Sequence, residues 1–483
     1  MAVARGREWW AKPNIRQLTG KPENMQRILA ITLLTMRAAI RYRLVLVLSA
    51  VLIGSVIVLP MVIKDDGTAR GLTQIILTYT LALITAFLGF STLWLACGTL
   101  ARDVQEAQIQ MVAVKPIPRW QIWIGKWFGI LALNAILLGI SSGAVFGLMQ
   151  WRAQKLPPDE QAILKSEIMV ARGSAREPIP DFEKQVEEQL KRRIEKTDLP
   201  VSDFDYMRTQ IREQLKAMDQ VVGSDYRRQW EIPLGGAQVF LKDKPLFLRV
   251  KFNVAETRKA PTYLGLFAVG DPNSAELYQT NMSLSPDSFH ELIVPPNLYN
   301  EEGVLIVNFV NRNPTALLFS AEEGMEVLYP ESSFGVNYFR GVTIIFFWLA
   351  LLAAIGLSAS SFLSFPVAAF VSVSVLIVAF SSGILALVLE QGTVLEVNHE
   401  TGFADKMAWI DYVALPLFKL ILSLINLVLG FSPIDALSTG RSITWWQLAR
   451  AFAQIILLIG GMFGLIGITI FNRRELATAQ GNH

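Results

Sequence analysis

Six stretches of roughly 20 apolar residues, near 44–63, 74–97, 124–149, 341–363, 366–389 and 449–471, constrain this chain more than any other feature. Water is absent from a bilayer core, so backbone N–H and C=O groups there must pair within their own segment, and each stretch is expected to be a membrane-crossing helix. Between the third and fourth lies a long hydrophilic block, from Arg152 to about Arg340, of domain size. The predicted architecture is therefore an α-helical polytopic membrane protein with a water-exposed domain inserted between two sets of three spans. Composition fits that division: 52% of residues are hydrophobic and only 18% charged, with a mean hydropathy of +0.38. The net charge of +3 gives no reason to expect a nucleic-acid partner.

Lys and Arg placement sets the orientation. Lys21, Arg27, Arg37, Arg41 and Arg43 precede the first span, Arg102, Lys115, Arg119 and Lys126 crowd the short connection between the second and third, and Arg473-Arg474 close the last. Basic short loops stay in the cytoplasm, so both termini and this connection are predicted to be cytoplasmic and the large insert exported. The expected location is the cytoplasmic (inner) membrane of a bacterium, surrounded by its lipids. No small-residue cleavage pattern follows the first span at Met61 to Asp66, so that span reads as an uncleaved anchor.

A seventh apolar stretch, Val413 to Phe431, contains Pro416, Lys419 and Asn426; counting it as a crossing would put Arg473 and Arg474 on the wrong side. It reads as re-entrant or interfacial, with Lys419 snorkelling to the outer headgroups. Ahead of the first span, Met25, Ile28, Leu29, Leu33, Met36 and Ile40 recur near helical spacing among arginines, the pattern of a basic helix in the headgroup plane. Trp120, Trp123, Trp127, Trp151, Trp445 and Trp446 fall at span ends and read as interfacial aromatics.

The connection from Gly98 to Lys126 is the most distinctive short segment. Arg102 to Val114 is predicted to form a helix with Val104, Ala107, Met111 and Val114 on one face, and Pro116 and Pro118 then re-aim the chain. Pro116-Ile117-Pro118-Arg119 followed by Gly125-Lys126 resembles the coupling segment of ABC (ATP-binding-cassette) type-2 exporter permeases. Phe471-Asn472-Arg473-Arg474-Glu475-Leu476 is similar to that family's closing F-x-R-R-E-L. Where the family often carries Glu and Gly-Thr, this chain has Asp103 and Ala107-Gln108.

The resemblance implies a six-helix type-2 exporter fold, a short helical hairpin dipping into the outer leaflet before the last span, and pairing with a second copy or a similar permease. It also implies docking to a cytoplasmic ABC ATPase, which would bind the ATP and Mg, through Arg102, Asp103, Glu106, Pro116, Arg119, Gly125 and Lys126. Asn134 in the third span and Glu390 at the end of the fifth are the polar positions considered for a pore wall, against an interhelical hydrogen bond and a water-facing helix end.

The domain boundaries follow: a cytoplasmic N-terminus over 1–43, spans 1–3 over 44–151 with the coupling loop at 98–123, a helical hairpin or stalk over 152–226, a β-sandwich over 227–335, spans 4–6 over 336–472 and a tail over 473–483. In the hairpin, Phe204, Met207, Ile211, Leu215, Met218 and Val222 step three and four residues apart, a seam for packing against another helix. After Gly223 the period changes to two: Leu246, Leu248, Val250, Phe252 and Val254 alternate with Phe247, Arg249, Lys251 and Asn253. Further β-rich runs at 263–269, 304–310 and 325–329 complete a predicted sandwich or jelly roll.

Chemistry on the chain itself finds little support. The phosphate-cradling G-x-x-x-x-G-K-[ST] pattern is absent, since Gly20-Lys21 continues to Pro22 and Gly125-Lys126 to Trp127. His290, His399 and His483 have no second His or Cys at metal-ligand spacing, and the single Cys97 permits no intramolecular disulfide. His290-Glu291 and His399-Glu400 read as surface polar pairs. Ser358, Ser360, Ser361, Ser381 and Ser382 lack a nucleophile elbow and read as small residues for close helix packing. No catalytic residue, metal or bound cofactor is assigned to this chain. The expected function is transport driven by a separate ATPase; the alternative is a membrane-anchored exported binding or assembly protein.

Overall fold

A computed structural model describes residues 23–41, 43–62, 68–106, 117–164, 169–194, 204–254, 261–271, 277–321, 323–394 and 409–474. Apart from the short helices Pro158–Ile163 and Gln238–Leu241, the helices are α1 (Glu23–Arg41), α2 (Arg43–Val62), α3 (Ala69–Gln105), α4 (Arg119–Ala153), α5 (Glu183–Ile194), α6 (Phe204–Gln220), α7 (Phe334–Ser360), α8 (Phe365–Phe380), α9 (Ser382–Gln391), α10 (Asp411–Leu429) and α11 (Pro433–Ser438). A final helix, α12 (Trp445–Arg473), carries a π-helical stretch over Phe452–Gly460. Among the described residues, five helical segments are long and apolar enough to cross a membrane, and α8 with α9 make a sixth bent by 56°. The 20-residue α2 adds a further apolar helix with one charge, at its first residue. This is the architecture of a multi-pass membrane protein.

The ends of these helices sort into two groups. At one end, which we call the base, the C-termini of α3, α7 and α12 meet the N-termini of α4 and α8. Contacts there include Arg119 on the last carbonyls of α12, Arg474 on Ser361 and Arg102 over the Phe365 ring. At the opposite end, the segment before α12 is held by α7: Asn337 donates to the Arg441 carbonyl at 2.8 Å and accepts from Ile443 N–H at 2.7 Å, and Arg340 donates to the Ile443 carbonyl at 2.7 Å. α8 starts at the base and α12 starts at the far end. The apolar stretch of α10 is left uncovered by the rest of the chain.

The far end carries the β domain. Its eleven strands are β1 (Val170–Ala175), β2 (Val221–Val222), β3 (Arg227–Pro233), β4 (Leu246–Val250), β5 (Asn253–Val254), β6 (Tyr263–Val269), β7 (Tyr278–Leu284), β8 (His290–Val294), β9 (Val304–Asn311), β10 (Leu317–Leu318) and β11 (Met325–Ser333). Two four-stranded sheets, β1-β11-β4-β8 and β3-β9-β6-β7, are antiparallel throughout, and a small β2-β10-β5 sheet accompanies them. Both large sheets share one core, in which Phe319 contacts Trp230 and Phe309 with ring centroids 5.2 and 5.1 Å apart. Eight long strands paired in this order form a jelly roll, two Greek keys closed face to face.

Two details of this domain differ from the sequence expectations. β1 lies inside the segment predicted to be a helical hairpin, yet it pairs with β11 as an edge of the sandwich; six residues without strong alternation gave no strand signal. The hairpin itself is limited to α5 and α6, zipped by Val186, Met207 and Ile211 and by the ion pairs Arg208–Glu187 and Arg212–Glu183.

The second difference concerns charge. Arg249 alternates with the apolar set in β4, and Glu291 read as a surface residue, yet both are buried. They face one another across the β4–β8 pair, and Arg172 of β1 joins them, with guanidinium-to-carboxylate distances of 3.1 Å from each arginine. Burial pulls the Arg249 guanidinium below its ordinary range, and the neighbouring Glu291 charge opposes that shift. Cross-strand pairing of opposite charges makes an inward-facing arginine tolerable.

Removing Glu291 by substitution to Ala strands two buried guanidiniums, and we expect a loss of about 3–5 kcal/mol in the stability of the β domain. Urea unfolding of the purified chain, followed by β-sheet circular dichroism, measures it. A loss under about 1 kcal/mol would show that the triad behaves as an exposed pair.

Candidate functional site

The base of the bundle gathers most of the residues singled out in the α3–α4 connection. α3 does not stop at the membrane end predicted near residue 97 but runs on to Gln105, so Arg102 and Asp103 project from a continuous helix. Residues 107–116, including Pro116 and the rest of the predicted short helix, lie outside the described residues. The chain re-enters at Ile117, Pro118 precedes α4 with φ −59°, and Arg119 is its first helical residue. Glu106, exposed at the end of α3, donates its backbone N–H to the Arg102 carbonyl.

Lys126 is only 6% exposed, two turns into α4. Its Nζ donates to Asp103 Oδ2 at 2.5 Å and to the Thr99 carbonyl at 3.1 Å, tying the ends of α3 and α4 together. Arg119 reaches the other way. Its Nη1 donates to the carbonyls of Phe471, Asn472 and Arg474 at 2.9, 2.9 and 2.6 Å, taking up acceptors that the last turn of a helix leaves unpaired. A cation at this position also meets the negative end of the α12 dipole. Arg474 then donates to the Ser361 carbonyl at the end of α7, at 3.0 Å, and the Arg102 guanidinium lies 4.6 Å from the Phe365 ring centroid at the start of α8. The facing ends of α3 and α4 are thereby fastened to the ends of α12 and α8, and through Arg474 to that of α7.

Gly125 has a packing role that the sequence reading did not derive. A Cβ there would lie 2.7 Å from Ile31 Cβ and 3.2 Å from the Ile28 carbonyl, and at Gly129 it would lie 2.7 Å from Thr35 Cβ. Gly125-x-x-x-Gly129 is thus a notch that lets α1 lie directly against α4. Thr32 donates to the Gly125 carbonyl at 3.1 Å, and the buried Gln121 donates to Asn24 at 2.9 Å. The four-residue glycine spacing was visible in the sequence; its partner helix was not. Trp123 likewise differs from the interfacial expectation: it is buried and packs against Gly464 and Gly467 of α12. Large rings need small residues opposite, and α12 supplies them.

The two positions considered for a pore wall separate. Asn134 is buried inside the bundle, where its Oδ1 accepts from Thr92 of α3 at 3.0 Å, so it joins two helices rather than facing open space. Glu390 belongs to α9, and its side chain lies outside the described residues. Ser358 sits at another helix contact, donating to the carbonyls of Ala354 and Phe463 at 2.7 and 2.6 Å.

This arrangement ties the facing ends of α3 and α4 to each other and to α1 and α12. Compared with protein families, with curated proteins and with solved structures, the chain finds no match.

Filling the glycine notch tests the docking of α1. With Gly125→Val, overpacking of about 1–3 kcal/mol should lift α1 from α4. A disulfide engineered between Asn24→Cys and Gln121→Cys should then form at less than half its yield in the otherwise unaltered chain. Equal yields would show that α1 does not rest on this notch.

Proposed function

We propose that this chain is the membrane-spanning permease subunit of an ABC exporter, with the base of the bundle resting on a separate cytoplasmic ATPase that binds ATP and Mg. The observation that carries this reading is the double clamp at the α3–α4 connection, Lys126 on Asp103 and Arg119 on the end of α12. A partner pressing on the facing ends of α3 and α4 moves α3, α4 and α12 together, because these contacts tie those helix ends to one another. Charge-assisted hydrogen bonds of this kind contribute about 1.5–3 kcal/mol each, enough to hold against thermal motion.

In this reading the base faces the cytoplasm, the jelly roll is exported, and α10 with α11 forms the hairpin that dips into the outer leaflet. The transport path lies between two copies of the chain or between this chain and a similar permease. The bent α8–α9 pair is the surface such a partner covers. Substrate is moved rather than altered, and the β domain is a site where cargo or an assembly partner is met on the exported side.

Affinity purification of the intact chain from its native membrane tests the proposal. ATP hydrolysis should accompany the unaltered chain and fall on the order of tenfold with Glu106→Lys, which reverses an exposed charge at the tip of α3. Absence of ATPase activity from the unaltered preparation, with cross-linking applied before solubilisation, would favour an anchored binding protein instead.

A further inference from the structure

The groove between α10 and the start of α12 is polar where the surrounding surface is apolar. On α10, Lys419, Ser423 and Asn426 follow one another at helical spacing along one face, and on α12 Arg450 and Gln454 stand one turn apart. These five side chains line a single groove of about 490 Å³, together with Leu427 and Phe431. Among the described residues, neither Lys419 nor Arg450 has an acidic partner. Two unpaired cations on helices of this apolarity are costly, and such residues are found where they meet a ligand or another charge.

Their depth narrows the choice. Arg450 lies six residues beyond Thr444, the N-cap of α12 at the β-domain end, so at 1.5 Å per residue it sits about 9 Å below that end. Trp445 and Trp446, both strongly exposed, mark the headgroup level just above it. Both cations line the groove at this depth, and the uncovered apolar side of α10 adjoins it. The π-helical stretch that begins at Phe452 carries Gln454, and π-turns of this kind commonly re-aim side chains toward a site.

We infer that this groove binds an anionic phospholipid from the leaflet on the β-domain side, with Arg450 and Lys419 on its phosphate and Ser423, Asn426 and Gln454 donating to the headgroup. Arginine offers a bidentate fork to phosphate and lysine a compact point charge, a complementary pair for one anion. The inference is independent of any partner ATPase.

Native mass spectrometry of the full chain in neutral detergent, titrated with dioleoyl phosphatidylglycerol or with the zwitterionic phosphatidylcholine, tests it. The unaltered chain should retain phosphatidylglycerol preferentially, and Lys419→Gln with Arg450→Gln should weaken that retention about 30-fold while leaving phosphatidylcholine unchanged. The charge-preserving Lys419→Arg with Arg450→Lys, which guards against a folding defect, should keep most of it. Equal retention by the doubly neutralised chain would overturn the inference. So would displacement of the lipid by equimolar inorganic phosphate, which would indicate a site for the free anion. Efficient disulfide formation between Lys419→Cys copies in the membrane, with no lipid preference, would overturn it too, by showing that a second copy fills the groove.

Discussion

The last carbonyls of a helix have no partner within it, and in lipid there is no water to supply one. In this chain the carbonyls that end α12 are taken by Arg119, the first residue of α4. Much else follows from that single guanidinium. It fixes the last helix to the third of the long apolar helices across more than 350 residues of sequence, and brings Arg474 onto the end of α7. It also sets the position from which Lys126, two turns further on, can reach back to Asp103. At the far end Asn337 and Arg340 perform the same service for the segment entering α12. Helices pinned at both ends act as bars, so displacement at one end is felt at the other.

The junction with the β domain is equally short. β11 ends at Ser333 and α7 begins at Phe334, so a strand interior to the sandwich passes without a linker into a membrane-length helix. Beside it, Arg172 pairs its backbone with Gly440 and Ser442, and Arg441 reaches the fully buried Glu326 of β11 at 2.9 Å. The segment that Asn337 and Arg340 hold is thus also an edge partner of β1. A domain attached in this way is positioned by the bundle rather than tethered to it.

The coarse architecture was legible in the sequence because its signals are long. Runs of apolar residues must be helices in lipid, and the alternation over β4, β6 and β9 left little choice but strand. What stayed hidden depended on partners far away in the chain. The burial of Arg249 was not legible because its carboxylate partner, Glu291, comes from another strand. Trp123 looked interfacial because the glycines that receive it belong to α12. α3 was cut short because its last turns, Thr99 to Gln105, are polar, although the helix continues through them. Arg119, Lys126 and Gly125 drew notice by their spacing, but only the structure gives each a contact: a helix end, a carboxylate and a neighbouring helix.

The central claim is that the clamped base and the jelly roll face opposite compartments, the base on the side that holds ATP. Cys97 is fully buried, which leaves a quiet background for thiol labelling. Single cysteines at Glu106→Cys on the base and Tyr226→Cys on the exposed surface of the β domain, treated in intact cells with a membrane-impermeant maleimide, provide the measurement. Labelling of Tyr226→Cys alone, with Glu106→Cys reacting only after the membrane is opened, is the predicted result. Labelling of Glu106→Cys from outside intact cells would contradict the account.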